Sequence, residues 1–168
     1  MAVTINGDGS ISGLTTGKAV QFVQTVISSA TSLTSNTVET SATGFSAAIT
    51  PSSASNKVLL MCSLFYASRN TTYAAYFKRG STIIGVGDAD GSRQRVSIGL
   101  GFITDTNQSG HIGWHYLDSP STTSSTTYQL FVINDGNAPI YLNRTEADAN
   151  NVIGKRGAST VTLIEVEA

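Results

Sequence analysis

The chain has 168 residues, which is enough for one domain with its own hydrophobic core. Its net charge of −1 and its ten scattered Lys and Arg residues exclude a basic surface for nucleic acid or anionic lipid. No apolar stretch approaches the ~20 residues of a membrane-spanning helix, and no secretory signal is expected. Charged residues make up only 12% of the chain, and 44 residues are Ser or Thr. Together with the apolar clusters that recur along the chain, this composition favours strands and turns.

The first 20 residues are predicted to form a segment of their own. Val3–Ile5 and Ile11–Ser12 flank Asn6-Gly7-Asp8-Gly9, a turn sequence, which predicts a small hairpin or an extended arm. Such a hairpin is marginally stable alone in water. We therefore expect residues 1–20 to anchor the protein on a neighbouring subunit or a larger assembly, with folding back onto its own domain as the alternative. The expected anchoring residues are Val3, Ile5, Ile11 and Leu14.

Residues 21–168 are predicted to form one β-sandwich domain. Short strand-like runs alternate with turn clusters, and no segment has a convincing helical period. About nine or ten strands at this spacing predict an all-β, antiparallel, jelly-roll-like sandwich, with a barrel as the alternative. After a first strand at Gln21–Ile27 and a break over Ser28–Ser35, the predicted strands are Phe45–Ile49, Val58–Ser68, Tyr73–Lys78, Ser81–Ile84, Val96–Phe102, His111–Leu117, Thr127–Ile133, Ile140–Asn143 and Thr160–Val166.

Two of these strands have an unusual pattern. Val58–Ser68 is almost continuously apolar, which predicts that both of its faces are covered. Val96–Phe102 alternates apolar side chains with small ones, so one of its faces is nearly bare. Glycines allow another backbone to approach closely. Gly99, Gly101 and Phe102 are therefore candidate contacts between subunits.

The last predicted strand leaves two alternatives open. Val161 and Leu163 share one face, whereas Ile164 and Val166 share the other. Either a bulge switches the faces or both faces are buried.

No residue pattern indicates catalysis, a cofactor or a metal site. His111 and His115 share a predicted strand, where residues four apart are roughly 13 Å from each other, too far for one metal ion. Asp88–Ser92 resembles the start of a calcium loop, but Gly99 occupies the position of the required Glu. Cys62, the only cysteine, lies in an apolar run and is expected to be a buried, inert thiol. The sequence therefore predicts a protein that is not an enzyme.

Several motifs resemble a domain of tail-fibre-like and other virion proteins of tailed bacteriophages, cyanophages especially. The resemblance covers the chain from Gly44 through Ala168, and the opening Val3–Ile11 is also similar to such proteins. It implies a virion protein with a jelly-roll-like sandwich, a homotrimer, and no catalytic residues. The motifs that carry it are Ile49–Val58, Arg79–Thr82, Leu117–Pro120 and Arg156–Val166.

Two roles in the virion follow from this resemblance. The first is a capsid cement or decoration protein, a trimeric knob on the capsid surface that binds the major capsid protein or another virion protein. The second is a tail fibre or receptor-binding head that recognises a host surface glycan or protein. We expect the first, because the 20 to 35 residues before the sandwich are too few for a fibre shaft. A free-standing trimer of the TNF or C1q kind is a further alternative.

Overall fold

The computed structural model describes residues 4–5, 11–12, 17–35, 37–69, 71–101, 103–134, 136 and 138–168. These residues form antiparallel strands, turns and loops, and none of them is helical. The all-β prediction is therefore confirmed. The strands are β1 (Thr4–Ile5), β2 (Ile11–Ser12), β3 (Ala19–Ile27), β4 (Thr31–Leu33), β5 (Thr40–Ile49), β6 (Lys57–Ser68), β7 (Tyr73–Arg79), β8 (Thr82–Ile84), β9 (Ile98–Leu100), β10 (Gly110–Asp118), β11 (Thr126–Ile133), β12 (Ile140–Leu142) and β13 (Ser159–Val166).

The first two strands pair with each other. Thr4 lies opposite Ser12 and Ile5 opposite Ile11, which confirms the predicted hairpin pairing. Val3 and Leu14, the other two expected anchoring residues, lie outside the described residues.

The larger sheet has six strands arranged around β6. At Tyr66 the partners of β6 are in β10 and β12, and at Ser63 they are in β10 and β13. Strands β12 and β13 therefore lie end to end along one side of β6, with β10 along the other side. Strands β4 and β3 pair with β12 and β13 in turn, so this sheet is four strand positions wide.

The second sheet has five strands in the order β5-β11-β7, followed by β8 and β9. Strand β8 pairs with the end of β7 at Phe77–Arg79, and β9 pairs with its beginning at Tyr73–Ala75. Because β11 occupies the other side of β7, β8 and β9 lie end to end in one position. This sheet is also four strand positions wide.

Counting each end-to-end pair as one strand leaves eight strands after the hairpin. In chain order, one sheet contains the first, eighth, third and sixth strands, and the other contains the second, seventh, fourth and fifth. This order is that of a jelly roll, in which two Greek keys share two facing sheets. The predicted jelly-roll-like sandwich is thus confirmed, and the barrel alternative is wrong.

The hydrophobic core lies between the two sheets. Leu60, Leu64 and Leu163 from one sheet are fully buried against Phe77 and Leu130 from the other. Each such side chain contributes about 1.5–3 kcal/mol when it leaves water.

An aromatic stack closes one side of this core. The rings of Phe77 and Trp114 are stacked at 5.6 Å, and Tyr116 stacks on Trp114 at 6.0 Å. Gly85 passes so close to this stack that a Cβ there would lie 2.6 Å from Trp114 Cζ2, and its φ is +58°. The stack and the left-handed backbone together require glycine at this position.

Two strand predictions differ from the structure. Ser28–Ser35 is predicted to be a break, but it contains β4, because the backbone of this polar segment pairs with β12 and Leu33 packs on the core. The predicted strand Val96–Phe102 is limited to β9, and Phe102 lies outside the described part of the chain.

The structure of β13 answers the question left open for the last strand: no bulge switches its two faces, and its outer face is only partly covered. Val161, Leu163 and Glu165 point into the core, whereas Ile164 and Val166 point outward and are only partly covered. There is no switch of faces before Glu165, since β13 pairs with β6 in continuous register; the pairing with β3 shifts only after Glu165.

Candidate assembly surface

The residues first considered for chemistry do not form a reactive centre. Cys62 is only 4% exposed, and burial raises the pKa of its thiol to about 12, which confirms the predicted buried thiol. His111 lies on β10, and its Nε2 is 2.8 Å from Ser63 Oγ. In the loop after β8, Asp90 forms an ion pair with Arg93. Within the described ranges, no group of three or more His, Cys, Asp or Glu residues is placed to hold a metal ion.

The motifs Ile49–Val58 and Arg156–Val166 meet in a buried polar network. Glu165 is 1% exposed, and its Oε1 accepts hydrogen bonds from Ser52 N, Ser52 Oγ and Asn56 Nδ2, each at 2.7 Å. Burial by itself would raise the pKa of Glu165, but these bonds and one from the Ser53 amide outweigh it and lower the pKa. The network ties the loop before β6 to the last strand.

The motifs Arg79–Thr82 and Leu117–Pro120 meet in a second buried network. Arg79 Nε lies 2.7 Å from Asp118 Oδ2, and the Tyr128 hydroxyl donates to the same oxygen at 2.7 Å. Burial, and then the bond to Asp118, raise the pKa of Tyr128, so the phenol stays protonated. In this structure the four motifs act by joining loops and strands.

The outer face of the six-stranded sheet carries a row of apolar side chains in register. Leu117 of β10 lies opposite Leu59 of β6, which lies opposite Ile164 of β13, which lies opposite Phe22 of β3. Side chains that are directly opposite in this way are about 5 Å apart and form a continuous surface. Phe22 is 64% exposed and Leu117 is 46% exposed, so nothing in the described chain covers the ends of the row.

Two further rows extend this surface, and we call the three rows together the assembly face. None of its members is Asp, Glu, Lys or Arg, and Gln24 Nε2 donates to Thr162 Oγ1 within it at 2.9 Å. Its members are Leu117, Leu59, Ile164 and Phe22 in the first row, His115, Met61, Thr162 and Gln24 in the second, and Gly113, Ser63, Thr160 and Val26 in the third.

The apolar run of β6 was predicted to be covered on both faces, and within the single chain this is wrong. Leu60 and Leu64 point into the core and are fully buried, but Met61 points outward and is 44% exposed. The apolar side chains of β6 are therefore typical of a strand that is covered on both faces, but the described residues cover only the face toward the core.

The outer face of the five-stranded sheet is built differently. Tyr76 and Phe131 stack there at 6.2 Å, and the Lys78 ammonium lies 4.6 Å from the centre of the Phe131 ring. Glu39 accepts hydrogen bonds from both Lys78 and the Tyr76 hydroxyl. The aromatic groups of this face are thus covered by charged side chains of the same chain, whereas the described residues give the assembly face no such cover.

Gly99 on β9 and Gly101 just after it, two of the three predicted subunit contacts, lie away from the assembly face. Gly99 and Gly101 are exposed, and a Cβ added to either would meet nothing within 4 Å. No contact among the described residues therefore requires glycine at these positions. Their role between subunits stays a prediction.

No helix in the described residues is long and apolar enough to cross a membrane. A scan against models of protein families gives no match. A search of curated proteins gives none either.

Solved structures of infectious bursal disease virus are similar to this chain over 99% of its length, at 10% sequence identity. The Gt strain structure has a TM-score of 0.47, with 44% of that chain covered, and a mutant VP2 protein from T=1 particles has 0.47, with 42% covered. This chain thus spans less than half the length of these proteins. With TM-scores below 0.5, these similarities carry no inference about function here.

Proposed function

We propose that this chain is a non-enzymatic structural protein of a phage virion, of the tailed-bacteriophage, cyanophage-like kind, and that it assembles as a homotrimer through its assembly face. The observation that carries the proposal is the uncovered apolar row from Leu117 to Phe22, in a sheet whose partner sheet covers its own aromatic groups with charge. Exposed apolar patches of this kind mark interaction sites in soluble proteins.

A second copy of the same chain is the partner that fits this face. Because the face carries no formal charge, a charged partner surface would lose its hydration there without gaining an ion pair. The same face on another copy avoids that cost. The sheet is roughly 20 Å wide and the three rows span roughly 13 Å along its strands, so the face covers roughly 260 Å², about a third of the ~800 Å² per partner of a standard interface. The rest of the outer surface of the sheet would supply the remainder. In a trimer the faces would surround a threefold axis, with one edge of each face against the opposite edge of the next, whereas a face that met the same face squarely would give a twofold dimer.

The specific role that we propose is capsid cement or decoration, on the capsid surface. Residues 1–20 would lie on the major capsid protein or another virion protein, or add strands to a neighbouring sheet, through Val3, Ile5, Ile11 and Leu14. Gly99, Gly101 and Phe102 would make secondary contacts between subunits. The bacteriophage motifs from Gly44 to Ala168 and the jelly-roll strand order support this role.

Deletion of residues 2–16 tests the anchoring role and leaves β3 intact, because β3 begins at Ala19. We expect the truncated protein to stay oligomeric in solution but to fail to bind capsids that lack the protein, as measured by cosedimentation and electron microscopy. Normal decoration by the truncated protein would overturn the arm proposal.

The location of the protein in intact particles tests the proposed role itself. Cement predicts many copies over the capsid and lower capsid stability without them. A few copies confined to the tail, with binding of the isolated protein to host cells, would instead indicate a tail fibre or receptor-binding head.

A further inference from the structure

The six-stranded sheet has two long edges, β10 on one side and β3 on the other. Among the described residues, β10 pairs only with β6 and β3 pairs only with β13. Each of the two strands has nine residues, and none of these residues is Lys, Arg, Glu or Pro. Natural proteins place such residues on an exposed edge to keep it from pairing with another chain, so these two edges lack that protection.

The edges of the five-stranded sheet are built differently. At one edge, β8 and β9 have only three residues each. At the other edge, the pairing of β5 with β11 shifts its register around Gly44, which has a φ of +84°. Short strands and bulges both prevent edge pairing. By contrast, β10 pairs in continuous register along its whole length, and β3 does so from Gln21 to Ile27.

The hydrogen bonds of Phe65 on β6 show the direction of its backbone groups. Its N–H donates to Ser159 Oγ and its C=O accepts from the Asn143 amide, each at 3.0 Å, so both groups point toward β12 and β13. Backbone groups alternate between the two sides of a strand, so every second residue from Phe65 back to Leu59 also points toward β13. The residues between them point toward β10.

The same alternation, carried across the paired strands, identifies the groups at the two open edges. Trp114 lies opposite Cys62 and bonds to β6, so the outward-facing residues of β10 point their N–H and C=O groups away from β6. Likewise, Thr162 lies opposite Met61 and bonds to β6, so the residues of β13 that bond to β3 are the inward-facing ones. The residues whose backbone groups point to the open edges are therefore His111, Gly113, His115 and Leu117 on β10, and Phe22, Gln24 and Val26 on β3.

The strand directions allow these two edges to pair between copies. Because each neighbouring pair is antiparallel, β3 and β6 run one way and β13 and β10 run the other. A rotation about an axis along the strands keeps these directions. The β10 edge of one copy therefore meets the β3 edge of the next as an antiparallel pair, in which opposite residues exchange both hydrogen bonds.

The width of the sheet also fits a closed ring of three. Four strand positions at ~4.8 Å give a sheet roughly 19 Å wide, and three such sheets joined at their edges form a triangle. Each side of that triangle lies roughly 5–6 Å from its axis, about half of the ~10 Å between packed sheets. The outward side chains, such as Leu59 and Ile164, would then fill the centre.

We propose that β10 of one copy and β3 of the next form backbone hydrogen bonds, so that three six-stranded sheets close into one ring. This inference rests on the proposed homotrimer and adds the contact that joins its copies. The partner of each edge is thus the opposite edge of a second copy of this chain. Closure satisfies the backbone groups of both edges and leaves neither strand open to other chains.

Proline at Gln24 tests the backbone bond, because it removes an N–H that points to the open edge and breaks no bond within the sheet. We expect Gln24→Pro to weaken association at least about tenfold in sedimentation velocity, since its partner carbonyl is left buried without a donor. Gln24→Ala is the matched control: it loses the same side-chain bond to Thr162 but keeps the N–H, and should associate within about threefold of the wild type.

The same comparison at the other edge uses His115→Pro and His115→Ala, and it decides the question if Gln24→Pro does not fold. Thermal melting of each variant shows whether the fold is kept. Equal association of the folded Pro and Ala variants would overturn the edge pairing.

Cysteine cross-linking then shows which strands meet. Four double variants combine Gln24→Cys with a cysteine at one of the outward residues of β10. Within one chain these positions are at least three strand spacings apart, roughly 14 Å, so a disulfide with its limit of ~7 Å between Cα atoms can form only between copies. The β10 positions are His111, Gly113, His115 and Leu117.

On oxidation, at least one double variant is expected to give covalently linked trimers in a non-reducing gel. His115→Cys combined with Ala48→Cys, on the outer face of the other sheet, is the control and should give none. Trimers that sediment as such but are not linked in any of the four variants would overturn the edge pairing and leave the proposed trimer standing. A wild-type monomer would overturn both.

Discussion

At the scale of single residues, the buried carboxylate of Glu165 ties the loop before β6 to the last strand. All three of its hydrogen bonds at 2.7 Å come from the loop before β6. Glu165→Gln can keep an oxygen facing these donors but loses the negative charge that strengthens all three bonds, so we expect it to lower the free energy of unfolding by about 2–4 kcal/mol in urea denaturation. Glu167→Gln, at an exposed position two residues away, should change it by less than about 0.5 kcal/mol. Equal stability of the two variants would contradict the role of the network.

The same carboxylate predicts a pH dependence. Because folding lowers the pKa of Glu165 below its ordinary value of 4.5, its contribution to stability is fully present above pH 4.5. That contribution is lost as the pH falls through the lower pKa of the folded state. Unfolding measured between neutral and acid pH should therefore show a steeper loss of stability in the wild type than in Glu165→Gln. Parallel curves would count against this assignment.

Cys62 predicts the behaviour of the only thiol. With its pKa raised to about 12 by burial, almost none of it is thiolate at neutral pH, so a disulfide reagent should react only after unfolding. In Ser92→Cys, which places a thiol in an exposed loop, one group per chain should react at once. Rapid reaction of folded wild-type protein would show that Cys62 is more accessible than the structure indicates.

At the scale of strands, the assembly face predicts how substitutions affect association. Phe22→Glu places a carboxylate in the apolar row, where burial between copies would leave it unpaired. We expect it to weaken association at least about 100-fold, measured by sedimentation velocity. Ala48→Glu adds the same charge on the outer face of the five-stranded sheet and should leave association unchanged. If both variants sediment like the wild type, the face does not mediate assembly.

Most strands could be predicted from sequence, because alternation and turn residues are local properties. The strands Tyr73–Lys78 and Ser81–Ile84 are predicted on either side of Gly80, and in the structure a turn joins them there, where Gly80 has a φ of +58°. The short strand β4 was missed, since its Ser and Thr residues are typical of turns and its pairing with β12 is distant in sequence.

The candidate surface could be predicted only in part. The apolar run of β6 indicated a second covered face, but Phe22 could not be assigned to it, because alternation alone does not show which face of a strand points inward. The two polar networks were also beyond sequence reasoning, since Glu165 and Asn56 are 109 residues apart. Their partners are set by how the strands meet.

At the scale of the whole molecule, the eight strand positions form a jelly roll with one self-covered face and one open face. The covered face keeps its aromatic groups under Lys78 and Glu39. The open face carries one apolar row across its four strands, and none of the members of its three rows is Asp, Glu, Lys or Arg. This asymmetry predicts that copies meet through the six-stranded sheets and leave the five-stranded sheets outward.

The mass of the purified protein in solution tests this central claim most directly. Sedimentation equilibrium at micromolar concentration should give three times the 17.5 kDa mass of the chain. A stable species of 17.5 kDa under the same conditions would contradict the account, because the apolar row would then remain in water with nothing to cover it.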